Sequence, residues 1–360
     1  MNAALLKKRL AEAPRMEPVD AVKLVYQSEF GCGHLLSDET DCAARVRAEL
    51  DATALCADVP AAVPIGGRLC RLNLAAPQVR ALLPEQIARM MRVTADFVHG
   101  DVLHFEHALD ALRVLSREEA TPFPPETLED YLCAYRAQGY PPVSHSARYR
   151  AAYAPAYRVV LSDYAVLLPV LSAVNERLRT HEFALVVLDG DCGSGKTTLA
   201  NLLAALWQTQ PLCTDDFFLP FSLRTEQRLH EPGGNIHYER FADEVLSGLL
   251  RGGDFSFQRY ACATGGYEAV RHPAARLTVI EGSYSHHPFF AQAYAKLDAI
   301  RVFLCAEGGE QLRRLALRSP EKLARFQSEW IPLEKNYFQA YDIKGGADLV
   351  VQSQPWENEG

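Results

Sequence analysis

The clearest chemistry in this chain lies in Gly190-Asp191-Cys192-Gly193-Ser194-Gly195-Lys196-Thr197. The run fits G-x-x-x-x-G-K-[ST], the pattern of a phosphate-cradling loop. Glycines let backbone N–H groups turn inward around phosphate oxygens, and a helix N-terminus beyond them adds partial positive charge. In such a loop the lysine reaches the β- and γ-phosphates and the threonine ligates Mg²⁺. Those roles fall to Lys196 and Thr197, with Thr198 next on the helix. Context supports the pattern. ALVVLD at 184–189 is an apolar, β-branched run suited to a buried strand, and TTLANLLAALWQ after the loop has the composition of a helix.

A phosphate loop needs an acid for its metal and, where it serves transfer to a hydroxyl, a base for the acceptor. Two acidic positions follow short apolar runs: Asp215 with its neighbour Asp216 in PLCTDDFFLP, and Glu281 in LTVIEG. A parallel sheet presents residues just beyond its strand ends to a ligand. Alternation along extended chain predicts that one of Asp215 and Asp216 faces the phosphates. Further apolar runs, AIRVFLC and ADLVVQ, are separated by helical patterns such as YERFADEVLSGLLRG and EQLRRLALRS. Strands alternating with helices predict a doubly wound parallel α/β sheet of the P-loop NTPase class.

Residues 180–352 resemble the uridine kinase/phosphoribulokinase group of P-loop kinases, through GDCGSGKTTLA, TDDFFLP and VIEGSYS. The resemblance implies an ATP- and Mg²⁺-dependent kinase acting on the hydroxyl of a small molecule, first of all a nucleoside. It implies that Asp215 lies beside the acceptor hydroxyl and that Glu281 helps Thr197 hold Mg²⁺. It implies an arginine-bearing lid, for which Arg313, Arg314 and Arg318 are available, Arg318 foremost and Arg314 toward the nucleotide. RTEQRLHEPGGNIHYERF, between the two acids, is the expected acceptor segment, with Arg228, His230 and Arg240. Where the group has a Tyr-Asp-Phe motif on the nucleoside, this chain keeps Tyr260 but has Ala261 for the aspartate. Other acceptors, such as a sugar phosphate, a riboside or a vitamin-like alcohol, therefore stay open. A nucleotide-dependent regulatory ATPase is the alternative of a different class. EGSYSHHP offers no glutamine to orient a water, and no N-K-x-D guanine signature occurs.

The first 155 residues lie outside the resemblance. Pro18, Pro84 and Pro125 each open a helical pattern, DVLHFEHALDALRVLS reads as another helix, and VPIGGRLCRLNLA reads as a short hairpin. The expected organisation is a mainly helical accessory domain over 1–155, then the kinase domain over 156–360. GYPPVSHSARYRAAYAPAY, at 139–157, reads as the connection. Three groups in the first part have ligand-like composition: Cys32, His34 and Cys42; His99, His104, Glu106 and His107; and SHSARYR at 144–150, which suits either an anion or plain packing.

The 360 residues carry 37 Lys+Arg and 45 Asp+Glu, a net charge of −8, and both halves hold more acids than bases. Binding to nucleic acid through a basic face is therefore not expected. No run of apolar residues is long enough for a membrane span, and the first residues lack the apolar core of a signal peptide. The nine scattered cysteines include no C-x-x-C. That usage predicts reduced thiols and a cytoplasmic protein; the partner that the kinase resemblance implies is a small-molecule acceptor, and assembly into a homo-oligomer stays open.

Overall fold

Proline and glycine punctuate the chain where the sequence places them. In the computed structural model, which describes residues 1–36, 39–261 and 264–353, the chain divides into two compact units, the second beginning at Val166. The first unit comprises α1 (Ala3–Ala11), α2 (Pro18–Phe30), α3 (Glu39–Ala52), β1 (Ala62–Gly66), β2 (Leu69–Asn73), α4 (Pro77–Arg80), α5 (Pro84–Phe97), α6 (Val102–Arg117), α7 (Pro125–Ala137), α8 (Ala147–Tyr153) and β3 (Tyr157–Leu161). Proline starts α2, α4, α5 and α7, where its preset φ fits and its missing N–H is not needed. α5 buries Ile87, Ala88, Met90, Met91 and Thr94.

The hairpin expected at 63–75 forms as β1–β2, turning through Gly66, Gly67 and Arg68, all at positive φ. β3 then pairs antiparallel with β2, from Leu69↔Leu161 to Asn73↔Tyr157. The expected boundary at 155/156 therefore precedes a strand of the first sheet, and the first unit continues to Ala165. Residues 139–157 are likewise more than a connection: Ser146 caps α8 by accepting the N–H of Tyr149.

α9 (Asp163–Thr180) leads into the second unit. Its parallel sheet has five strands in the order β10 (Leu349–Gln352), β9 (Ile300–Cys305), β4 (Ala184–Gly190), β8 (Leu277–Glu281), β5 (Leu212–Cys213). From the central β4 the chain winds outward through α10 (Lys196–Ala205) to β5 and back to β8. It then crosses to β9 and β10 on the other side, which is the doubly wound arrangement. α11 (Glu226–His230), α12 (Tyr238–Phe241), α13 (Ser247–Arg251) and the antiparallel hairpin β6 (Phe255–Ala261)–β7 (Gly266–His272) lie in the chain between β5 and β8. α14 (Ala291–Lys296) precedes β9, and α15 (Gly308–Arg318), α16 (Leu323–Arg325) and α17 (Ile331–Ala340) separate β9 from β10.

Every residue of β4 is buried. Leu185, Val187, Ile280 and Phe303 pack in one core with Phe217, Phe241, Phe290 and Tyr337. Burying such side chains contributes about 1.5–3 kcal/mol each, and this core fixes the strand ends that carry the polar groups below.

Candidate active site

The loop leaves β4 through Gly190 at φ +138°, with Gly193 and Gly195 at +73° and +98°. A Cβ on Gly190 would lie 2.1 Å from the carbonyl oxygen of Leu304, so any side chain there would part β4 from β9. Gly193 faces Leu315, and Gly195 caps α10. Glycine is thus required by close approach as well as by backbone angle. Asp191 Oδ2 accepts the N–H of Ala306 at 2.9 Å, tying the loop to the end of β9. Gln311 donates to the carbonyl of Cys192 at 2.9 Å. The hydroxyl of Ser194 is buried without a partner.

Lys196 folds over this loop. Its Nζ donates to the carbonyls of Gly190 (2.7 Å) and Asp191 (3.0 Å). Burial alone would lower the ammonium's pKa, but the nearby Glu334, Asp189, Glu281 and Asp215 together raise it. Lys196 therefore stays charged amid an excess of carboxylates. Thr197 Oγ1 lies 3.2 Å from both oxygens of the buried Glu281. A hydroxyl and a carboxylate on one spot form an oxygen donor set that suits Mg²⁺, which takes only a few protein oxygens and keeps waters and phosphates for the rest. The glycine cradle, the orphaned Ser194 hydroxyl and this oxygen pair fit a nucleotide with its metal. Thr198 follows on α10, half-buried.

The two aspartates divide their work, though not by strand alternation. β5 ends at Cys213, and Thr214–Phe217 form a 3₁₀ turn. Asp216 pairs with Arg259 of β6 at 3.1 Å. Asp215 is the one near Lys196 and Glu281. The residue is exposed to solvent, yet protein surrounds its carboxyl closely. That desolvation, reinforced by Glu281, lifts its carboxyl from 3.8 to about 6.

Two acids escape sequence reasoning. Asp189 is fully buried and accepts from the Gly190 N–H (2.7 Å), the His286 N–H (2.9 Å) and the Tyr337 hydroxyl (2.9 Å). Its charge within the apolar run ALVVLD was the visible signal. Glu334 on α17 accepts from the Cys192 N–H (2.9 Å) and the Ser283 hydroxyl (2.8 Å). Nothing around it in the sequence, WIPLEKNY, resembles a motif, and 142 positions separate it from Cys192.

The arginines distribute differently from the expectation. Arg314 is buried, bonds Glu310 at 2.7 Å and donates to the Ser194 carbonyl at 3.0 Å, so it braces the loop from behind. Arg313 pairs with Glu310. Arg318 is exposed at the end of α15, 5.6 Å from the Phe326 ring.

On the acceptor side the expected residues mostly hold their own segment together. Arg228 forms a two-pronged pair with Glu239 (2.8 and 2.9 Å) and donates to the carbonyls of Gly234 and Ile236. Arg240 lies over Phe217 and donates to the carbonyls of Gln258 and Asp216. Tyr260 is buried against Tyr267. His230 is exposed, with Nδ1 2.6 Å from the Glu226 carbonyl. Arg228, Arg240 and Tyr260 are thus committed to positioning. His286 and His287, after Glu281, are also engaged: His286 Nε2 sits 3.0 Å from the Val187 carbonyl, and His287 stacks on Tyr238.

In the first unit, Cys32 and Cys42 are buried against Met91, and burial raises both thiols, so they stay protonated. His34 meets the Tyr26 ring edge-on. His99, His104 and His107 are exposed, and Glu106 accepts from the Tyr140 hydroxyl. Among the described residues no three His, Cys, Asp or Glu side chains are grouped to hold a metal on their own.

A central strand opening into a glycine loop, a lysine-led helix and a threonine paired to the acid of the neighbouring strand decide the architecture. The second unit has the doubly wound α/β fold of a P-loop protein. No protein-family model matches the sequence, and no curated protein matches it either. Solved structures are similar to it over about half of the chain, two of them as follows. One, described as a possible uridine kinase from Bacillus stearothermophilus, is 16% identical, covering 49% of this chain and 94% of its own, at TM-score 0.36. The other, the YGR205w protein, is 10% identical, covering 50% and 84%, at TM-score 0.29. No helix among the described residues is long and apolar enough to cross a membrane.

Proposed function

We propose that the second unit transfers a phosphoryl group from ATP to a hydroxyl of a small molecule, with a nucleoside such as uridine the first acceptor to test. The observation that carries this reading is Asp215: a carboxylate at a parallel strand's end, near the loop lysine, with its pKa lifted to about 6. A base so tuned is ionised at neutral pH and still basic enough to accept a hydroxyl proton. The motif resemblance of residues 180–352 to uridine kinases supports the same reading.

Bound nucleotide with Mg²⁺ supplies the phosphoryl group and neutralises its charge. Thr197 and Glu281 would hold the ion, and the amides from Gly193 onward would cradle the phosphates. Lys196 exchanges its bonds to the Gly190 and Asp191 carbonyls for phosphate oxygens. Asp215 takes the acceptor's proton as its oxygen bonds to phosphorus and the bond to the ADP oxygen breaks. Arg318, exposed at the end of α15, is an arginine outside the loop's own framework that can join the transferring group. Positioning and charge, rather than covalent catalysis, do the chemistry.

The test is ADP release from ATP·Mg²⁺ with a panel of nucleosides, ribosides, sugar phosphates and pantothenate, with Lys196→Ala as control. Acceptor-dependent turnover, lost in the variant, is expected. Equal hydrolysis with and without every acceptor would overturn the kinase reading in favour of an ATPase. A response confined to a non-nucleoside alcohol would keep the mechanism and change the substrate.

A further inference from the structure

SHSARYR, left unexplained by the kinase chemistry, lies in a buried polar cluster of the first unit. Asp20, on the first turn of α2, is fully buried. It accepts from the N–H of Glu17 (3.0 Å), the N–H and hydroxyl of Ser146 (3.0 and 2.7 Å) and Nδ1 of His145 (2.8 Å). With His145 donating at Nδ1, its Nε2 accepts from the Tyr157 hydroxyl at 2.6 Å. His145 also stacks on Tyr149, ring centroids 4.2 Å apart. Burial lowers its pKa to about 4, which keeps it neutral and the relay Asp20–His145–Tyr157 in one tautomer.

This relay holds an arginine. The Arg71 guanidinium sits 4.5 Å above the Tyr157 ring, and its Nε and Nη2 donate to Gln27 Oε1 at 3.1 and 2.8 Å. Beside it on α2, one turn before Gln27, Lys23 donates to the carbonyl of Val143 at 2.7 Å. Arg71 is buried and Lys23 largely so, yet among the described residues neither forms an ion pair. Their partners are all uncharged: the Gln27 amide, the Val143 carbonyl, the Tyr157 ring and the Tyr149 hydroxyl. Asp20, the nearby carboxylate, has both oxygens committed to four other donors. Desolvation, with Arg71 adding repulsion, accordingly brings the Lys23 ammonium down to about 8.

A buried arginine and a half-buried lysine beside one saturated carboxylate leave an excess of positive charge with little water around it, which proteins rarely tolerate without a partner. A glutamate in place of Gln27 would have cancelled it, but the chain places a neutral amide there. The arginine's planar fork is fixed in orientation and the lysine is a point charge at its side, a pairing that suits an oxyanion. Lys23, Tyr26 and Tyr157 remain partly exposed, so solvent reaches this cluster.

We propose that Lys23 and Arg71, held by the Asp20–His145–Tyr157 relay, form an oxyanion site in the first unit for a small molecule bearing a carboxylate or phosphate. The site is independent of the kinase reading.

The experiment is calorimetric titration of the full chain with inorganic phosphate and, separately, with succinate. Parent, Lys196→Ala, Lys23→Met and Arg71→Gln are compared. One site per chain that persists in Lys196→Ala and weakens at least tenfold in Lys23→Met and Arg71→Gln is expected. Response to phosphate alone or succinate alone identifies the geometry the site prefers. Lys23→Met keeps the aliphatic stem and removes one hydrogen bond, so it reads the site even if Arg71→Gln fails to fold. No binding of either anion would overturn the proposal. So would binding lost in Lys196→Ala but unchanged in Lys23→Met, which would put the anion on the loop. A higher melting temperature for Lys23→Met, with the parent binding neither anion, would show the cations to be an uncompensated cost.

Discussion

At the phosphate loop one ammonium, Lys196, is set among Asp189, Asp215, Glu281 and Glu334. In the first unit two cations, Lys23 and Arg71, flank a single carboxylate whose oxygens are already taken. The two clusters are opposite in sign and alike in construction. In each, neutral groups hold the charged ones in place: Tyr337 and backbone N–H groups on Asp189, and Gln27 and Tyr157 on Arg71. The surplus indicates what each lacks. An acidic excess with a hydroxyl beside it suits a hard cation and the phosphates it accompanies, whereas a basic excess suits an anion.

Several changes test that contrast. The largest effect is expected from Lys196→Ala, which should cut acceptor-dependent turnover about a thousandfold or more; steady-state ADP release reads it, and near-normal turnover would remove Lys196 from the chemistry. Asp215→Asn should lower kcat about a hundredfold. In the parent, kcat should rise with pH through about 6 as Asp215 ionises, and the variant should lose that limb. The same shift has a stability sign. The folded state holds the Asp215 proton more tightly than the unfolded chain, whose value is near 3.8, so stability is given up as pH rises through about 6. Asp215→Asn should therefore melt above the parent at pH 8, with the difference vanishing toward pH 4. Glu334→Gln removes one negative charge beside Lys196 and should tighten nucleotide binding about tenfold, about 1.4 kcal/mol, by calorimetry; weaker binding would make Glu334 a support and not a competitor.

The smallest effect concerns His145 and His287, both lowered to about 4 by burial. Between pH 6.5 and about 4 the unfolded chain takes up protons that the folded chain refuses, so stability falls as pH falls across that window. His145→Gln should flatten the slope of melting temperature against pH there, and an unchanged slope would mean that His145 is already charged.

How far the sequence carried depended on whether a function is written locally. Gly190 to Thr197 are contiguous, so strand, loop and helix were legible together. The positions of Asp215 and Glu281 beyond and at the ends of parallel strands were legible from the apolar runs before them, although the 3₁₀ turn at Thr214–Phe217, not a pleat, separates Asp215 from Asp216. Glu334 was not legible, since a helix distant in the chain brings it to the Cys192 amide. Arg228 and Arg240 looked like acceptor ligands because a basic side chain in a polar segment reads the same whether it faces a ligand or its own carbonyls. β3 was missed because its tyrosine and arginine start lies in a stretch dominated by proline and alanine.

The bond from the Cys192 N–H to Glu334 means that the resting loop already carries an anion of its own. Entry of a phosphate at that amide is then an exchange, one negative group displacing another tethered at effectively high local concentration. Measured nucleotide affinity is accordingly a difference between two occupancies. On the proposed reading, a lone inorganic phosphate would gain little by the exchange, whereas a triphosphate that also engaged Lys196, Thr197 and a metal would gain much. A loop so built would discriminate by valence before any base or sugar is read.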